Sequence, residues 1–261
     1  LHNAHDRTRA LNIAAAKLAR RAVEAHFSAT GKKAIVAGSI GPTGELFEPL
    51  GHLSHSSALA GFSEQADALA EGGVDLLWIE TMSSTEEVAA AIEAAKATGL
   101  PICATMTFDT ASRSMMGVMP ADFAEFARDS EANFIGANCG IGPAELLHSV
   151  RGILTASGSL PVVAKGNCGI PAYVEGAIHY HGTPELMAEY ALFARDAGAK
   201  IIGGCCGTSP AHVAAMVAAL DKTPPRDFDE AAMVSALGEA WADVKIDNSG
   251  GDDRRKRRRR Q

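Results

Sequence analysis

NFIGANCGIGPAELLHSVRGILTASGSLPVVAKG, residues 133–166, contains one whole repeat of the fold. An apolar run of strand length, 133–139, ends at a cysteine followed by glycine. Leu146, Leu147, Val150 and Leu154 then recur at helical spacing, and a second apolar run, LPVVAKG (160–166), follows. Short runs bounded by Gly, Pro or charge, without polar alternation, fit strands covered on both faces. A strand, a helix with one apolar stripe and another such strand form a unit with parallel strands. Outward from it, KAIVAGS (33–39), VDLLWIE (74–80), PICATMTF (101–108) and AKIIGGC (199–205) repeat the apolar run. Helix signals lie between them. Leu59, Phe62, Ala66 and Leu69 form a stripe, and Ser84 with Glu87 is a capping-box pattern. Thr183-Pro184 and Ser209-Pro210 each place a cap before a first-turn proline. Residues 7–27 read as a helix through Leu11, Ala15, Leu18 and Ala22.

The order is therefore a helix followed by six strand–helix units, which implies an α/β fold with a parallel sheet. A spacing of roughly 25–30 residues per unit, without a GxGxxG loop, favours a TIM (β/α)8-type barrel over an open nucleotide-binding sheet. About six of the eight βα units are visible, and the first element is a helix, so the other two strands are expected upstream of Leu1. Residues 1–222 are expected to form this barrel domain, N-terminally incomplete, and 223–261 a C-terminal extension.

The chain is 47% hydrophobic but only 5% aromatic, so aliphatic residues and alanine must fill the core. No apolar run approaches the ~20 residues a membrane helix needs, and LHNAHDRTRA has no apolar signal segment. The expectation is a cytoplasmic protein with no membrane partner. Net charge is −7, but RRKRRRR (254–260) takes seven of the 24 Lys and Arg, leaving 17 against 31 acidic residues, a balance of −14. A body this acidic argues against nucleic acid as a partner. The basic block reads as a disordered, solubilising end, because like charges repel and do not pack.

Five cysteines stand at 103, 139, 168, 205 and 206. An odd count, a chain of this length and two adjacent cysteines do not fit a secreted disulfide framework. In a barrel of this type, reactive groups sit where strands end. Cys205 and Cys206 end the sixth run and Glu80 ends the second. Adjacent cysteines on a continuing strand point to opposite faces, so gripping one ion requires a sharp turn, which Gly203, Gly204 and Gly207 permit. A third thiolate would leave one coordination position open, the pattern of a catalytic zinc site. Cys139 in ANCGIG and Cys168 in GNCGIP have nearly the same surroundings, and spacing alone leaves the third ligand open between them. Cys103 is mid-strand and reads as core.

GANCG (136–140) and GGCCGT (203–208) resemble the two cysteine motifs of the homocysteine S-methyltransferase family, and the resemblance runs from near residue 5 to about 220. It implies Zn2+ held by Cys139, Cys205 and Cys206, and so selects Cys139 over Cys168. GSIGPTGE (38–45) and IET (79–81) resemble the family's loops after its third and fourth strands. FDTASRSMMG (108–117) and KGNCGIP (165–171) look most like the bacterial betaine–homocysteine methyltransferase branch. The family's first two strands, with their DGAMGT-like and TNTF-like motifs, have no counterpart here.

The implied activity is methyl transfer to the thiol of homocysteine, giving methionine. Betaine is the expected donor, with S-methylmethionine or a methylfolate as alternatives. Glu80 is the expected partner of the substrate ammonium, and Ser39, Gly41 and Asn138 are expected around the amino-acid end. No catalytic residue is expected beyond the metal site. Tyr173, Tyr180, Phe47 and Phe108 are candidates for an aromatic cage around a quaternary ammonium. Trp78 is expected to fill the barrel one layer below Glu80, and His179 and His181 to line the mouth. A thiol-binding barrel fragment without turnover, or a hydrolase using metal-activated water, are the rival readings. Self-association into a homo-oligomer is left open.

Overall fold

The computed structural model describes residues 4–169 and 171–242. The basic stretch 254–260 lies outside the described residues. Helix α1 (Thr8–Thr30) leads into strand β1 (Ala37–Ile40), and four βα units follow. These are α2 (His55–Glu71), β2 (Leu76–Met82), α3 (Thr85–Lys96), β3 (Ile102–Met106), α4 (Pro120–Asp129), β4 (Phe134–Cys139), α5 (Pro143–Leu154) and β5 (Val162–Gly166). A hairpin of β6 (Pro171–Val174) and β7 (Ala177–Tyr180) then interrupts the pattern. It resumes with α6 (Pro184–Ala197), β8 (Ile201–Gly204), α7 (Pro210–Lys222) and α8 (Glu230–Leu237).

Six strands pair in the order β1-β2-β3-β4-β5-β8, all parallel, as a curled half-barrel. This is the partial (β/α)8 architecture anticipated from the six apolar runs. The outer face carries Ile40, Leu77, Ile79, Ala104, Met106, Ile135, Ala137, Val162 and Ala164 into the main core beneath the helices. Each fully buried Leu or Ile there contributes on the order of 1.5–3 kcal/mol relative to exposure. Alanines substitute for the missing aromatics: α3 buries Ala90, Ala91, Ala94 and Ala95, which lets it lie close to the sheet. The concave face is separate, with Leu76, Cys103 and Val163 buried beside the partly covered Trp78, Phe134 and Ile201. Cys103 is 1% exposed and its thiol pKa is pushed up by burial, as a core position requires.

Local signals hold where they carry a hydrogen bond. Ser84 Oγ accepts from the Glu87 amide at 3.2 Å, and Thr183 Oγ1 from the Leu186 amide at 3.3 Å. The Glu87 carboxylate instead accepts from both N and Oγ1 of Thr43 at 2.7 Å, fixing the loop after β1. The hairpin lies across residues read from the sequence as mouth-lining loop, His179 and Tyr180 among them. Within the described part of the region after residue 222, side chains pack against the barrel. Arg151 pairs with Glu230 at 2.7 Å and stacks over Phe228, and Met233 and Trp241 are buried.

Candidate metal centre

The loops after β4 and β8 meet at the C-terminal end of the sheet, and the Sγ atoms of Cys139, Cys205 and Cys206 all lie within 4.8 Å of one another. Cys139 Sγ and Cys206 Sγ are 3.8 Å apart. A tetrahedral zinc–thiolate site, with Zn–S bonds of about 2.3 Å, sets its sulfurs ~3.8 Å apart, so the donor set and its spacing fit such an ion. Among the described residues this is the one such group of His, Cys, Asp and Glu side chains. Cys168 is not part of it. Its Sγ is fully buried, donates to Gly182 O at 3.1 Å and lies 3.1 Å from His212 Nε2, at the base of the hairpin.

Backbone geometry explains the convergence. Cys139 adopts φ +62°, so the strand ends abruptly at the thiol. Gly207, at φ +77°, carries the turn after Cys206, and the Tyr180 ring occupies the space a β-carbon would need there. The Cys205 amide donates to Gly166 O at 2.7 Å, and the Cys168 amide to Cys206 O at 2.9 Å. Asn167 ties the two thiol-bearing loops together: its Nδ2 donates to Gly140 O at 2.6 Å, and its Oδ1 accepts from the Cys206 amide at 3.0 Å.

The thiols are electrostatically unequal. The hydrogen bond from Cys139 holds Cys205 down to about 5, and the Lys165 charge and Asn138 amide act in the same direction against burial. Cys139 is raised, first by that same hydrogen bond and then by burial. One thiolate is thus favoured before any cation arrives, and a divalent ion would favour the others.

Glu80 lies where β2 breaks register, between Ile79 and Met82, next to Thr81 at φ +63°. Its Oε1 accepts from Ser39 Oγ at 2.6 Å and its Oε2 from Lys165 Nζ at 2.5 Å. Burial opposes the Lys165 charge, but the hydrogen bond and charge of Glu80 outweigh it and keep the ammonium pKa above its ordinary value. Asn138 is fully buried beneath the thiols. Its Oδ1 accepts from Thr81 N and Thr105 Oγ1, and its Nδ2 donates to Thr81 Oγ1 and points to Cys205 Sγ at 4.0 Å. Gly41 faces open space. Of the cage candidates, Phe108 is buried against Phe123, and Tyr173 is 78% exposed. Tyr180 is the one held beside the thiols. Lys165 and Asn167 were missed from sequence. A lysine within an apolar strand run, VVAKG, was the available signal for the first.

These features define a parallel α/β half-barrel with a three-thiol cluster and an acid–lysine pair at its strand ends. The model of the homocysteine S-methyltransferase family matches residues 1–220, and the chain belongs to that family. It is 29% identical over 241 residues to methionine synthase of Mycobacterium tuberculosis (strain ATCC 25618 / H37Rv) and 28% identical over 232 residues to methionine synthase of Mycobacterium leprae (strain TN). Those alignments take in 89% and 85% of this chain but 20% and 19% of the relatives, so the chain spans about a fifth of their length. Among solved structures, the Escherichia coli homocysteine methyltransferase MmuM aligns with TM-score 0.66 in its apo form, at 27% identity, covering 82% of this chain and 74% of that one. Its metallated form aligns with TM-score 0.65, also at 27% identity, covering 80% and 70%. No described helix is long and apolar enough to cross a membrane.

Proposed function

We propose that this chain binds Zn2+ through Cys139, Cys205 and Cys206 and transfers a methyl group to the thiol of homocysteine, giving methionine. The observation that carries this reading is the convergence of three thiols beside the Glu80–Lys165 pair. When bound, zinc supplies a Lewis acid that favours the thiolate form of the substrate sulfur. The chain's own residues position the reactants. Asn138 and Asn167 hold the thiols at their spacing, and Glu80, oriented by Ser39, receives the substrate ammonium. The amide of Gly41, just past β1, is assigned to the same amino-acid end. The substrate thiol gives up its proton to solvent, its sulfur attacks the methyl carbon, a sulfur–carbon bond forms, and the carbon–nitrogen bond of the donor breaks with its electron pair returning to nitrogen. Betaine, which leaves as a neutral amine, is the donor we assign; the alternatives are S-methylmethionine, whose methyl carbon–sulfur bond breaks instead to leave a neutral thioether, and a methylfolate. Tyr180 beside Cys206 is the aromatic face offered to that cation. Free thiols of this kind persist in a reducing cytoplasm, which is the compartment we assign.

The test is zinc content after purification under reducing conditions. Stoichiometric zinc is expected in the wild type and in Cys168→Ala, and loss in Cys139→Ala. A folded wild type without zinc, or equal loss on removing Cys168, sinks the three-thiol assignment. One observation favours a second reading: among the described residues no strand pairs with the outer side of β1 or β8, which suits a thiol-binding barrel without turnover. Stoichiometric zinc with no methyl transfer from any of the three donors would select it.

A further inference from the structure

Lys165 occupies the second-to-last position of β5, directly across the ladder from Gly203 and beside Asn138 on the other flank. A β-carbon at Gly203 would meet nothing within 4 Å, so the space next to the lysine is open. The ammonium sits 5.3 Å from the centre of the Trp78 ring, which supports it from below. A lysine ammonium has three donors. Among the described residues Glu80 is its one hydrogen-bond acceptor, and the side chain keeps 25% exposure against 18% for Glu80. The pair is therefore a partly desolvated positive and negative charge, side by side, on the concave face that leads to the thiols. An ion pair in such a place is weak evidence for stability, since an apolar pair would pack as well. Its charges match those of an α-amino acid, whose carboxylate and ammonium share one carbon.

We propose that Lys165 is the specificity residue that takes the substrate carboxylate, and that the Lys165–Glu80 pair is a resident mimic of the amino-acid group. On binding, the substrate ammonium replaces Lys165 on Glu80, and the substrate carboxylate replaces Glu80 on Lys165. No net charge is left unpaired in either state. The exchange explains why a lysine stands within an otherwise apolar strand. It rests on the reading that homocysteine is the thiol acceptor.

The experiment is calorimetric binding to the zinc-loaded full chain of homocysteine, of mercaptopropylamine, which lacks the carboxylate, and of mercaptobutanoate, which lacks the ammonium. A hydrogen bond to a charged group is commonly worth about tenfold or more in affinity. The wild type is expected to prefer homocysteine over each analogue by at least about that factor. Lys165→Met, which keeps the stem over Trp78, should lose most of the preference over mercaptopropylamine and keep that over mercaptobutanoate. Glu80→Gln should do the reverse, and Lys165→Arg should restore the carboxylate preference. If Lys165→Met does not fold, Lys165→Gln carries the same expectation. Undiminished preference over mercaptopropylamine in the variant, with all three thiols binding the wild type, overturns the role of Lys165 alone. No thiol binding to the zinc-loaded wild type overturns the homocysteine reading along with it.

Discussion

At the scale of single residues, the site depends on groups that brace the thiols from beneath. Asn138 spends its amide on Thr81, Thr105 and Cys205, and thereby links three strand ends. Replacing it with Leu, close in volume but without partners for those groups, is expected to cost about 1–3 kcal/mol in urea unfolding. The same variant should weaken zinc retention against a chelator, because Cys205 loses its brace. Unchanged retention would reduce Asn138 to core packing. A second prediction concerns Gly207. A methyl there would lie 2.3 Å from a Tyr180 ring carbon, at a φ of +77° that side chains avoid. Gly207→Ala is expected to displace the hairpin and lower zinc content, with stability falling by on the order of 1–3 kcal/mol. Cys139, Cys205, Cys206 and Glu80 were legible from strand-end position and motif. Asn167 was not, since a polar residue in a glycine-rich loop carries no mark of the atoms it will bridge.

At the scale of elements, α1 is clipped to the sheet by Asp75. Burial alone would raise its pKa, but the hydrogen bond from the Val36 amide and the Arg20 guanidinium more than offset that and lower it below the ordinary 3.8. The Arg20 and Val36 contacts are 2.7 and 2.6 Å. A lowered carboxyl pKa gives stability that is present above the unfolded value and lost as pH falls through the folded one. Stability is therefore expected to decline below about pH 4 through this group, and less steeply in Asp75→Asn. The side chain is 38% exposed, so the loss at neutral pH should stay within about 1 kcal/mol. Equal acid sensitivity in both proteins would remove Asp75 from the account. Helix starts were legible because a cap is local chemistry. The hairpin of Pro171–Tyr180 was not, because its strands are only four residues long and β7 is largely exposed, with no apolar alternation to mark it.

At the scale of the whole molecule, no described strand pairs with the outer side of β1 or β8. Leu18, Phe27 and Ile35 are exposed around one edge, and Val213 and Val217 on the helix beside the other. Open edges flanked by apolar side chains promote association. Sedimentation at rising concentration is expected to reveal self-association of this chain, reduced in Ile35→Lys with Val217→Lys. A concentration-independent monomer would mean the edges are self-protected. The net charge of −7 is too small to override such contacts at physiological salt, where screening acts over about 8 Å.

The sequence by itself determined the six parallel strands, the intervening helices and four of the chemical groups. Each of these is written in short-range terms: a run of apolar residues, a cap, a cysteine at a strand end. The motif resemblance pointed to Cys139 over Cys168, but only the tertiary structure supplies a physical reason, since their local sequences are nearly identical and Cys139 alone of the two joins the cluster. What separates them is the left-handed turn at Cys139, against the hydrogen bonds that bury Cys168 between Gly182 and His212. It also decided that Glu80 faces a lysine 85 positions along the chain, a pairing set by the curl of the sheet and unreadable from spacing.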